Sequence, residues 1–207
     1  MPWIVCGILV SYLIGSIPTA YIFVRLLKGQ DIRSFGSGNV GATNAARVIG
    51  RGWGITVLAL DVLKGYVSVA LVGAMLASKV TFISTEMFQI TLGVASVIGH
   101  VWTVFLKFKG GKGVACTLGV LLALSVTSAV LRPILGLTLL TWVVVFAAAR
   151  IVSLASILAC VSFPIYMAIF RQPLNLVVAT SILAAFIIFR HKSNLSRLFQ
   201  RKERRLF

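Results

Sequence analysis

The residues best suited to chemistry lie in three short clusters of small, polar and basic side chains set between long apolar runs. The first is Gly36-Ser37-Gly38-Asn39-Val40-Gly41-Ala42-Thr43-Asn44, followed by Arg47. Glycines lack Cβ and let successive backbone N–H groups turn toward one point, the geometry of an anion nest. Ser37, Thr43 and Asn44 add neutral donors, and Arg47 adds a planar fork matched to phosphate oxygens. The second is Lys107-Phe108-Lys109-Gly110-Gly111-Lys112-Gly113, opening into a helix expected near Val114. A flexible loop entering a helix N-terminus offers N–H groups and the positive end of the dipole, which again favours phosphate. The third is Arg190-His191-Lys192-Ser193-Asn194-Leu195-Ser196-Arg197. Helical spacing puts His191, Asn194 and Arg197 on one side, and neighbouring cations favour a neutral, proton-accepting imidazole at His191.

Plainer readings compete with each. The clusters also read as a glycine turn between helices, a basic connector, and a juxtamembrane run holding anionic lipid. GSGNVG satisfies the dinucleotide pattern GxGxxG, with Asp61 twenty residues beyond Gly41. That pattern requires a preceding strand, whereas a helix-length apolar run precedes it here. The second loop is not a Walker A motif, because Leu106 and Gly113 occupy the first-glycine and Ser/Thr places. Asp61 and Lys64 are spaced to face each other on one helix, which lowers the cost of charge in lipid and reads as a structural pair. His100 reads equally as a packed and as a functional histidine. Ser153 and Ser156, beside Arg150, either cap a helix or join a phosphate site.

The elements that carry these clusters are membrane helices. Of 207 residues, 59% are hydrophobic and 12% charged, with mean hydropathy +1.02. A soluble domain is roughly 45–50% apolar and about 25% charged. Seven apolar runs stand out, at about 3–27, 53–77, 87–106, 114–131, 134–149, 155–170 and 174–189, several of them short for a full crossing. Arg132-Pro133 and Arg171-Gln172-Pro173 read as connections, and Pro18 and Pro164 as kink positions. The first run lacks a basic leader and reads as a spanning helix, not a cleaved signal. The expected fold is an all-α integral membrane protein, 1–207 forming a single polytopic domain of about seven transmembrane helices.

Charge sets the expected orientation. Twenty Lys and Arg against four acids give a net charge of +16. Sixteen of the twenty cations fall on one side if the segments about 28–52 with flanking Arg25, 107–113, 150–154 and the tail 190–207 are cytoplasmic. Lys79, Arg132 and Arg171 fall opposite, and Lys64 lies within a run. The N-terminus is then outside and the C-terminus cytoplasmic. Nucleic acid is a poor partner for basic residues confined to short loops. Cys6, Cys116 and Cys160 are scattered in apolar stretches and imply neither disulfide framework nor metal site. A transporter would place more polar groups deep in its helices and show a repeat. The spacing after His100 and His191 lacks the acid of an His-x4-Asp acyltransferase box, and the aspartate run of CDP-alcohol transferases is absent.

Taken in order, these blocks resemble the acyl-phosphate:glycerol-3-phosphate acyltransferases of bacterial membranes, the PlsY family. The resemblance runs from Tyr12-Leu13-Ile14-Gly15-Ser16-Ile17-Pro18 through GSGNVGATN and Arg47, Asp61-Val62-Leu63-Lys64-Gly65, Gly99-His100, KGGKG and Ser153-Leu154-Ala155-Ser156 to Arg190-His191, Asn194 and Glu203. It implies a seven-helix inner-membrane enzyme with its active site on the cytoplasmic face. Such an enzyme moves a fatty acyl group from acyl phosphate to the sn-1 hydroxyl of glycerol 3-phosphate, giving lysophosphatidic acid and inorganic phosphate. It implies no cofactor and no metal, and a PlsX-type acyl-phosphate-producing enzyme as partner. By matching position, Gly36, Ser37, Gly38, Asn39, Thr43, Asn44, Arg47, Gly110, Gly111, Lys112 and Gly113 would hold phosphate, with Ser153 and Ser156 in support. His191 and Asn194 resemble the active pair near the acceptor, with Ser37, Arg47 and Lys112 also catalytic, and Glu203 a structural acid. Thr103 stands where the family pattern has proline, Cys116 where threonine is usual, and the tail lacks an expected glycine.

Overall fold

Pro18 has no N–H to continue a helical ladder, and the first apolar run breaks there. In the computed structural model, which describes residues 1–206, helix α1 (Pro2–Ser16) ends before Ile17-Pro18 and α2 (Thr19–Lys28) restarts after it. A break inside lipid frees carbonyls that must find donors. The Thr103 hydroxyl donates to Ser16 O at 2.5 Å and Lys64 Nζ to Ile17 O at 2.9 Å. Thr103 therefore does what a proline at that position could not.

The chain continues through α3 (Ala42–Ile49), α4 (Arg51–Leu76), α5 (Thr85–Val101), α6 (Val114–Thr127), α7 (Leu131–Ala149), α8 (Val152–Ile169), α9 (Leu174–Arg190) and α10 (Lys192–Phe199). There are no strands among the described residues. Helices occupy all seven expected places. Five segments are long and apolar enough to cross a membrane: Pro2–Lys28, Arg51–Lys79, Thr85–Leu106, Leu131–Ala149 and Val152–Ile169. The pair Leu174–Arg190 and Lys192–Phe199, bent by 65°, makes a sixth if counted as one span. Helix α6 has only 14 residues, about 21 Å at 1.5 Å per residue against a hydrocarbon core of about 30 Å. Pro164 sits inside α8 without ending it.

Two compact units divide the chain, the first Met1–Thr127 and the second starting at Ser128. Within the first, α1 packs on α5 and α4 on α6. Their backbones meet through glycine: a Cβ on Gly15 would run into the Ser96 carbonyl, and one on Gly65 into that of Cys116. Small residues at such crossings let membrane helices gain dispersion and hydrogen bonding where no hydrophobic drive exists between them. A buried polar ladder runs through the same helices. Ser11 Oγ donates to Ser68 O at 3.4 Å, Ser68 Oγ to Ser96 Oγ at 3.0 Å, and Cys116 Sγ lies 3.4 Å from Ser96 Oγ. In the second unit α7 packs on α8 and α8 on α9.

Candidate phosphate site in the first unit

The segment 28–52 is folded rather than open. Asp31 caps a 3-10 turn at Ile32–Ser34 and grips the Arg33 guanidinium at 2.6 Å. The hydrogen bonds from Arg33, the main cause, hold the Asp31 carboxyl below its ordinary pKa. Chain reversal follows at Gly36 and Gly38, with φ of 61° and 70°, values that L side chains adopt rarely. Thr43, Asn44 and Arg47 then lie on α3, a helix where sequence reading expected loop.

Asn44 is 1% exposed and organises this loop. Its Oδ1 accepts from Ser37 N at 2.9 Å, while Nδ2 faces the carbonyls of Phe35, Asn39 and Ile32 at 3.0, 3.1 and 3.3 Å. Expected as a phosphate ligand, Asn44 has its amide engaged with backbone. Several amides of the expected nest are engaged too. Gly38 N donates to Phe35 O and Gly41 N to Asn39 O. In the second loop Gly110 N donates to Val101 O and Gly111 N to His100 O, both at 3.0 Å. Those glycines press their backbone against the end of α5. The loops and the helix that follows the first also carry side chains suited to a ligand. Ser37 is exposed, Thr43 half-buried, and neither hydroxyl has a protein partner among the described residues. Arg47 and Lys112 are half-buried.

The two loops meet. A Cβ on Gly111 would lie 2.7 Å from Val40 O and would strike His100 Nε2. Val40 and Leu106, from the two segments, also share a buried cluster with Ala20, Val24, Ile32, Ala45 and Val57. Beneath it lies a charged group that sequence reading identified only in part. Asp61 Oδ1 lies 2.7 Å from Lys64 Nζ, accepts from Thr19 Oγ1 at 2.7 Å, and is 3.6 Å from His100 Nδ1. The expected Asp61–Lys64 pair is present. Thr19 and the placement of His100 were missed; the clue was Pro18, since a broken helix obliges its neighbours to supply polar contacts.

The second unit gathers the remaining residues around Glu203. Its carboxylate, 6% exposed in the side chain, accepts from Ser153 Oγ at 2.9 Å, Asn194 Nδ2 at 2.5 Å and Arg197 Nε at 2.6 Å. Burial works to raise its pKa, but these three hydrogen bonds prevail and hold it below the ordinary value. Ser153 and Ser156 belong to α8 rather than to a loop, and Ser156 Oγ accepts from Trp142 Nε1 at 3.2 Å. His191 is buried at the joint between α9 and α10. Its Nδ1 lies 2.8 Å from Ile187 O, which can only accept, so Nδ1 carries the proton and Nε2 presents the lone pair in the neutral ring.

Among the described residues, helices without strands, long apolar spans and a small set of paired polar groups buried between helices define an integral membrane protein whose first unit joins two glycine loops, with Arg47 on the helix after one and Lys112 on the other. The profile described as "Glycerol-3-phosphate acyltransferase" matches residues 5–201, and the chain belongs to that family, the family of PlsY. It is 44% identical to a glycerol-3-phosphate acyltransferase of Nostoc sp. (strain PCC 7120 / SAG 25.82 / UTEX 2576), over 93% of this chain and 88% of that one. It is 40% identical to one of Aquifex aeolicus (strain VF5), over 96% of both. The crystal structure of PlsY (YgiH), an integral membrane glycerol 3-phosphate acyltransferase in its glycerol 3-phosphate form, superposes with TM-score 0.83 at 37% identity, covering 98% of this chain and 94% of that one. The lysophosphatidic acid form of the same enzyme gives 0.79 at 35% identity with the same coverage.

Proposed function

We propose that this protein transfers a fatty acyl group from acyl phosphate to the sn-1 hydroxyl of glycerol 3-phosphate, releasing lysophosphatidic acid and inorganic phosphate at the start of phospholipid synthesis. It works in the bacterial plasma membrane, N-terminus outside, with its active site and C-terminus on the cytoplasmic side. The observation that carries this reading is the contact of the two glycine loops at Val40 and Gly111, on elements bearing Ser37, Thr43, Arg47 and Lys112. Both substrates carry phosphate, and this set offers two hydroxyl donors, a planar guanidinium and an ammonium.

Acyl phosphate is a mixed anhydride whose carbonyl is already activated. The glycerol hydroxyl oxygen bonds to the carbonyl carbon, the carbon–phosphate oxygen bond breaks, and phosphate leaves with the bonding pair. No covalent enzyme intermediate is needed. The protein supplies orientation and stabilises charge on the departing phosphate. The hydroxyl proton goes either to His191 Nε2 or to a phosphate oxygen of the donor.

The test is purified protein with palmitoyl phosphate and glycerol 3-phosphate, without added metal, following phosphate release. Arg47→Ala and Lys112→Ala are each expected to lower kcat/KM by about 100-fold or more, the size of losing a donor to developing charge. Wild-type kinetics in both, or turnover only with a thioester donor, would overturn the proposal. In the same assay His191→Ala separates the bases: a kcat nearly intact assigns the proton to phosphate.

A further inference from the structure

His100 is 7% exposed, lies in the first unit near the end of α5, and takes no part in the transfer described above. Its ring stands between a carboxylate and a loop. On one side Nδ1 is 3.6 Å from Asp61 Oδ1, beyond hydrogen-bond length but within strong Coulombic reach. On the other, Nε2 occupies the space into which a Cβ of Gly111 would project. The His100 carbonyl also accepts from Gly111 N at 3.0 Å, so both backbone and ring of one residue face the turn that precedes Lys112.

Asp61 is itself fixed from two further directions, by Thr19 Oγ1 and Lys64 Nζ, each at 2.7 Å. Lys64 is tied in turn to Ile17 O. A structural ion pair would be complete with Lys64 alone. A carboxylate beside Nδ1 favours the proton on that nitrogen and turns the Nε2 lone pair toward the loop backbone.

We propose that His100 is a positioning residue for glycerol 3-phosphate: Asp61 sets its tautomer and orientation, and its Nε2 edge fixes the Gly111 turn so that Lys112 is held where it meets phosphate. Gly111 has no side chain because the imidazole occupies that place. The same contact sets the approach to Val40 O, so His100 controls the separation of the two glycine loops. A phosphate-positioning cation displaced by about 1 Å keeps its charge but loses hydrogen-bond reach to the ligand, which weakens binding.

This inference rests on the proposed use of Lys112 for phosphate, and the test separates the two. Glutamine extends its amide to the place of Nε2, asparagine to that of Nδ1. In detergent-purified protein, His100→Ala and His100→Asn are expected to raise KM for glycerol 3-phosphate by about 10-fold or more, with a smaller change in kcat. His100→Gln should recover most of that affinity, and Asp61→Asn should resemble His100→Asn. Binding of glycerol 3-phosphate without acyl donor, by calorimetry, should follow the same order. Wild-type KM and binding in the alanine variant would overturn the inference, as would equal losses in Gln and Asn, or failure of all the variants to fold, which mark a packing role. Loss of binding in Lys112→Ala with none in His100→Ala leaves the phosphate reading standing and removes only His100. Absence of binding by the wild type removes both.

Discussion

Around the Asn44 carboxamide four backbone groups converge, one N–H and three carbonyl oxygens, in a residue with almost no exposure. A buried polar group left without its partner costs about 1–3 kcal/mol. Asn44→Ala is therefore expected to destabilise the protein by about 1–3 kcal/mol, read as a fall in the thermal midpoint in detergent micelles. Asn44→Asp should be no better. A carboxylate keeps the acceptor for Ser37 N but sets negative charge against three carbonyl oxygens. Wild-type stability in the aspartate variant would mean that Nδ2 donates nothing of consequence. Gly36 belongs to the same design: its φ of 61° and the Asn44 oxygen beside it both exclude a side chain. The pattern of glycines and polar residues was legible as a functional loop from residue types alone. Which donors face a ligand and which hold the loop was not, because Asn, Ser and Thr have the same hydrogen-bonding repertoire either way.

Among the elements, the short helix α10 is held mainly by charge-assisted hydrogen bonds. Glu203 reaches back to Asn194 and Arg197 on α10 and to Ser153 on α8, and Leu206 N donates to Arg150 O at 2.9 Å. The Glu203 pKa is lower in the folded protein than its ordinary 4.5. The ionised form is thus the one that docks, so its contribution is fully present above about pH 4.5 and is lost as pH falls through the lower folded value. Protection of the Lys192–Phe199 amides against hydrogen exchange, taken relative to intrinsic rates at each pH, should fall over that acid range in the wild type. Glu203→Gln should exchange faster already at pH 7 and lose the acid-dependent step. An identical pH profile in the two proteins would show that the tail is held by something else. Sequence reading placed Glu203 as a structural acid by resemblance only; the three partners lie 6, 9 and 50 residues away, and no local periodicity links them.

For the molecule as a whole, sixteen cations assigned to one face against three on the other is a statement about the membrane potential and anionic lipid. With Cys6, Cys116 and Cys160 replaced by alanine, Lys109→Cys should react with an impermeant maleimide only when the cytoplasmic side is open. Lys79→Cys should react in intact spheroplasts. Labelling of both from one side would reverse or remove the proposed orientation. Run length and helix length part at α6, where an apolar run continues to residue 131 but the helix stops at Thr127. Hydropathy reports where lipid or core can accept a segment, and does not report where a helix ends.

The lipid environment, the all-helical class, the places of the helices and the three polar clusters follow from residue types along the chain, because apolar fraction, run length and local composition are properties of neighbouring residues. It took the packed fold to bring Val40 to Gly111, to share Asp61 among Thr19, His100 and Lys64, and to set Thr103 on a carbonyl freed at the Pro18 break. These contacts join residues dozens of positions apart. Their physical cause is the low dielectric of the membrane, which makes a backbone carbonyl or charge left over by one helix costly unless another helix meets it.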